Sequence, residues 1–98
     1  MRLTPEEVAA IKAAAAFAFG ADALVRLFGS RADNARRGGD IDLHVEVSPD
    51  VDAWKAKCRF EDNLFARLEP QRVDVIVHKR GTPARGIDLI ARRDGIAL

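Results

Sequence analysis

From Asp40 to Val47 apolar and polar side chains alternate without a break: Ile41, Leu43, Val45 and Val47 point one way, Asp40, Asp42, His44 and Glu46 the other. A period of two marks a strand with one dry face. The segment from Val73 to Val77 repeats it, with three valines on one face and Asp74 on the other, beside Ile76. Leu24 to Phe28 is a shorter apolar run, closed by Gly29-Ser30, and predicts a further strand. Elsewhere the spacing is helical. Thr4, Pro5 and Glu7 form a Thr-Pro-x-Glu capping box, and Leu3 and Val8 flank it as a hydrophobic staple would. Val8, Ile11, Ala15 and Phe19 then recur on one helical face, alanines thin the helix wall, and Gly20 stops it.

Arg31 to about Arg37 is either a short helix or a loop before Gly38-Gly39. Ser48-Pro49-Asp50 is expected to open a long helix reaching about Glu69, with Val51, Trp54, Cys58, Phe60, Leu64, Phe65 and Leu68 on its apolar face and Pro70 ending it. Thr82-Pro83 is expected to start a last helix running to about Arg93, and Gly95 to release a short apolar end from Ile96 to Leu98. Alternating helices and strands predict an α/β (mixed α+β) fold: a small mixed sheet with helices packed on one face, in one domain spanning residues 1–98.

Composition narrows the setting. A 98-residue chain with 48% hydrophobic residues can bury a core without staples. Its single cysteine, Cys58, has no internal partner, which points to a reducing, cytoplasmic environment. Lys12 and Asp22 interrupt the alanine-rich stretch, so no membrane span is expected, and that stretch lacks the basic start and short apolar core of a secretion signal. A net charge of +1 gives no global field for strong direct nucleic-acid binding. Phosphate recognition must be local.

Asp40 and Asp42 supply the candidate chemistry. At i and i+2 on a strand they leave the same face about 6.5–7 Å apart. Two carboxylates that close repel each other and favour a compensating cation. Magnesium accepts such oxygen ligands at ~2.0–2.1 Å, together with substrate phosphates. A pair of ions ~3.5–4 Å apart can drive in-line phosphoryl displacement. Asp74 adds a third carboxylate if its strand lies next to the first. Gly29-Ser30 is the other half: a glycine lets backbone approach a ligand, and Ser30 as a cap leaves N–H groups facing a phosphate. Arg31, Arg36 and Arg37 can add charge-assisted bonds to a triphosphate. Alone, an Asp-x-Asp is more often a solvated face and a Gly-Ser only a turn. It is the order of all these parts that carries weight.

GSRADNARRGGDIDL followed by RVDVIV resembles the DNA polymerase beta-like nucleotidyltransferase superfamily, most of all its minimal members (MNT), and the ending IDLIARRDGIAL is similar to the close of those small proteins. The resemblance implies the polymerase beta-like nucleotidyltransferase fold, Gly29, Ser30 and Arg31 at the nucleotide, and Asp40 and Asp42 as ligands of two Mg2+ ions. It implies that Asp74 helps bind a metal and draws the proton from the attacking hydroxyl. Two departures stand out: Gly39 where a serine or threonine is frequent, and His44 where an apolar residue is common. Neither touches the carboxylates.

Other residues are expected to be structural. His44 and His78 are read as surface or rim residues, Cys58 as core, and Trp54, Phe60 and Phe65 as packing side chains. Arg92-Arg93 suits the negative end of a helix dipole.

The expected function is a Mg-dependent nucleotidyltransferase moving AMP from ATP to a hydroxyl. A chain this short is expected to find its acceptor elsewhere, and the resemblance implies a HEPN-domain toxin as partner, in a toxin–antitoxin pair and a hetero-oligomer. Two alternatives stay open: a non-catalytic module that neutralises the toxin by contact, and a nucleotidyltransferase acting on a small molecule.

Overall fold

The computed structural model describes residues 3–29, 40–69 and 71–98. The order of elements is α1 (Pro5–Phe19), β1 (Leu24–Phe28), β2 (Ile41–Val47), α2 (Ala53–Phe65), β3 (Val73–Lys79), α3 (Gly86–Asp94) and β4 (Ile96–Ala97). The strands form one mixed sheet in the order β3-β2-β1-β4. β1 runs antiparallel to β2 and β4, while β2 and β3 are parallel, with α2 as their crossover.

Helix α1 begins as its sequence dictates: Thr4 Oγ1 accepts from the Glu7 N–H at 3.1 Å, and Glu7 Oε1 accepts from the Thr4 N–H at 2.9 Å. Its inner side buries Ile11, Ala14, Ala15 and Phe19. The alanines let α2 come close, and the Phe19 and Phe60 rings meet at 5.4 Å between centroids. Both helices cover one face of the sheet, where Val25, Leu27, Ile41, Leu43, Val45, Val47 and Val75 are buried. A fully buried phenylalanine such as Phe60 contributes about 1.5–3 kcal/mol by area.

The expectation of helices on one face holds for α1 and α2; α3 takes the other face. Its buried Asp88 bonds to His44 and its Arg92 to Glu46, both on the polar side of β2. The helix bounds differ from those expected. α2 starts at Ala53 because Asp52, not Ser48 or Asp50, caps it by accepting from the Lys55 N–H, and its regular part ends at Phe65 rather than Glu69. α3 starts at Gly86, not Thr82: Thr82 instead closes the turn after β3, its hydroxyl donating to the Lys79 carbonyl at 2.7 Å.

Four single-residue expectations are corrected. Cys58 is exposed, and Trp54 is 74% exposed, because α2 turns Ala56, Phe60 and Leu64 to the core and leaves both outside that stripe. His44 is fully buried and His78 nearly so, because α3 closes over a strand face that alternation alone marks as open. Ser30, Arg31, Arg36, Arg37, Gly38, Gly39 and Pro70 lie outside the described residues. No described helix is long and apolar enough to cross a membrane.

Candidate functional site

The parallel pairing of β2 and β3 decides the geometry. Ile41 lies opposite Val73, so Asp42 lies directly opposite Asp74, and their side chains leave the same face of the sheet. On the other side of Asp42 is Phe28, the last residue of β1. The next residue, Gly29, has φ +75°, and a Cβ there would collide with the Asp42 carboxylate. Glycine is therefore required twice, by its backbone angle and by its neighbour. One corner of the sheet thus brings together Gly29, Asp42 and Asp74.

Among the described residues, charge in this corner is poorly compensated. Burial pushes the Asp42 carboxyl above its ordinary value, the negative charges of Asp74 and Asp40 push the same way, and a hydrogen bond with Asp74 adds to it. Asp74 is exposed, and among the described residues no cation pairs with it or with Asp42. Asp40, just before β2, is partly exposed and stands 3.5 Å from Arg72 Nε. Among the described residues no three ligand-type side chains form a ready-made metal cluster. The donor set nonetheless fits a hard divalent ion. It is oxygen only, mutually repelling, and lies in front of a residue without a side chain. Asp42 and Asp74 are the residues that could hold such an ion, and Asp40 could join them only by giving up Arg72.

Beyond Asp42, the same face of β2 changes character. His44 Nε2 lies 2.7 Å from Asp88 Oδ1 with both side chains fully buried, while His44 Nδ1 has no partner among the described residues. The bond is best served with Nε2–H as donor, an assignment made from the hydrogen-bond network. Arg85 holds the other Asp88 oxygen at 3.0 Å from Nε and 2.7 Å from its backbone N–H. Those bonds from Arg85, and then that from His44, hold the Asp88 carboxyl well below the usual range against the cost of burial. Glu46 sits between Arg92 and Arg26, with His78 Nδ1 at 3.4 Å. The Arg92 and Arg26 bonds lower the Glu46 carboxyl to about 2, although burial opposes them.

Sequence reasoning named Gly29, Asp40, Asp42 and Asp74, and the structure places Gly29, Asp42 and Asp74 together with Asp40 at the margin. It missed the ionic cluster under α3. The available signal was the match of His44, Glu46 and His78 on strands to Asp88 and Arg92 on a helix and Arg85 at its cap: one polar face facing another. No family model matches the chain, and no curated protein matches it.

Proposed function

We propose that the chain is a magnesium-dependent nucleotidyltransferase of the polymerase beta-like superfamily, transferring AMP from ATP to a hydroxyl. The observation that carries this reading is the register of Asp42 against Asp74 beside Gly29. Asp42 and Asp74, with Asp40, would hold Mg2+, which when bound neutralises the triphosphate and stabilises the leaving pyrophosphate. Gly29 offers side-chain-free backbone to the phosphates, and Ser30 and Arg31 follow it in sequence. Asp74, the more open of the paired carboxylates, takes the proton of the acceptor hydroxyl. The hydroxyl oxygen then forms a bond to the α-phosphorus as the bond to pyrophosphate breaks. Positioning and electrostatics supply the catalysis.

The resemblance of GSRADNARRGGDIDL and RVDVIV to minimal members supports a HEPN-domain toxin as acceptor and partner. The test is transfer of label from α-labelled ATP with Mg2+ into co-expressed HEPN protein. Asp42→Asn is expected to reduce labelling by at least ~10³-fold, about 4 kcal/mol of transition-state stabilisation. Equal labelling by that variant overturns the proposal. The pairing of Asp40 with Arg72 favours a second reading, a partner-binding module without catalysis. Undiminished neutralisation of the partner by the Asp40→Asn/Asp42→Asn double variant would select it.

A further inference from the structure

β3 is the outer strand of the sheet, seven residues long, with no β neighbour on its far side among the described residues. Its backbone parity is fixed by two bonds to β2. The Ile41 N–H donates to the Arg72 carbonyl, and the Arg80 N–H donates to the Val47 carbonyl. Even-numbered residues therefore face β2, and Val73, Val75, Val77 and Lys79 turn their N–H and C=O groups outward. Arg85 Nη2 takes the Val77 carbonyl at 2.9 Å, and Thr82 takes that of Lys79. The donors and acceptors of Val73 and Val75 and the N–H of Val77 meet no described residue. Such an edge is a template for another strand, and folded chains commonly blunt or cover it.

A groove runs along this edge. One part, about 410 Å³, is lined by Trp54, Lys57, Val75, Ile76 and Arg85. A second part, about 320 Å³, adjoins it through Ala53, Val77 and Arg85 and brings in Lys79. Three cations line the groove and no carboxylate does. Trp54 lies 74% exposed along it, a large apolar surface unused by the core.

We infer that the edge of β3 binds an extended, acidic segment of a partner protein by strand addition, with Trp54 covering one of its side chains. The regular donor–acceptor spacing of Val73–Val77 matches a peptide ladder, not a sugar–phosphate chain. Pairing with a second copy would bring together two edges that each carry Lys57 and Lys79 with no groove carboxylate to offset them, a net like-charge contact. An acidic strand instead meets Lys57 and Lys79 with opposite charge, while Arg85 stays engaged with Asp88. This inference stands whether or not the carboxylate corner is catalytic.

The experiment is selection of a random 12-residue phage-displayed peptide library on the immobilised full chain. Enriched peptides should alternate apolar residues with Asp or Glu. The best, synthesised, should slow hydrogen exchange of the Val73, Val75 and Val77 amides at least tenfold. Trp54→Ala/Lys57→Glu should weaken its binding at least tenfold while melting like the parent, since both side chains lie outside the core. Phe17→Ala, exposed on α1, should bind unchanged. The inference is overturned if no selected peptide protects those amides, or if the double variant binds as well as the parent. It is equally overturned if protection rises with protein concentration alone, which would make the occupant a second copy. Loss of oligouridylate binding on Trp54→Ala would assign the groove to nucleic acid instead.

Discussion

Asp42 and Glu46 stand four residues apart on the same face of the same strand, and the fold treats them in opposite ways. Glu46 is held between Arg26 and Arg92 and is driven down to about 2. Asp42 has carboxylates for company and is driven up. Burial raises both carboxyls and is the largest cause at Asp42, where the neighbouring carboxylates add to it; at Glu46 the two arginines overturn it. The Glu46 end, covered by α3, serves stability. Among the described residues the Asp42 end has charge left over, and uncompensated charge at the edge of a fold is what a cationic ligand needs.

The comparison can be broken first at its strongest link. Asp88→Ala removes the partner of both His44 and Arg85 from a fully buried place, and should cost about 3–5 kcal/mol. The melting temperature should fall by more than about 15 °C in calorimetry. A loss of only a degree or two would mean that α3 is held by something other than its ions.

Glu46→Gln is milder, at about 1–3 kcal/mol, because Arg26 and Arg92 lose charge compensation but keep a polar neighbour. Its acid dependence should differ too. A carboxyl lowered from 4.5 to about 2 contributes stability that is whole above 4.5 and is lost as pH falls through 2. Urea titrations between those values should therefore show a shallower decline for the variant than for the parent. Parallel declines would remove Glu46 from the account.

The smallest effect has the opposite sign. Asp42→Asn relieves repulsion and should stabilise the metal-free protein by about 0.5–1 kcal/mol at neutral pH, as substitutions at functional sites often do. The charged form of Asp42 is the penalised one, so the gain should shrink as pH falls through its raised folded-state value toward 3.8, where the parent carboxyl is itself protonated. Added Mg2+ should raise the melting temperature of the parent and not of Asp42→Asn. A variant less stable than the parent would mean that Asp42 is compensated after all.

Much of this contrast was legible before any coordinates. Alternation along Asp40–Val47 and Val73–Val77 named the dry face and the polar one, and the Thr4–Glu7 box placed α1 to the residue. Asp42 and Asp74 were identified by residue type, but their meeting depended on parallel neighbouring strands, which local pattern does not encode. The burial of His44 was illegible for a related reason. A polar strand face reads as solvent-facing until a polar helix is known to cover it, and α3 directs Asp88 inward while leaving Leu89 and Ile90 exposed. Trp54 and Cys58 were misplaced because α2 buries only Ala56, Phe60 and Leu64, a narrower stripe than the apolar residues along it suggest.

The parallel register of β2 and β3 has one more consequence. A slip of a single residue would turn Asp74 into the oily layer beneath the sheet and bring a valine up in its place. Misassembly and loss of the paired carboxylates are thus the same error. A molecule that has threaded these strands wrongly is also the one least able to persist, so the population that survives folding is already proofread for that carboxylate corner.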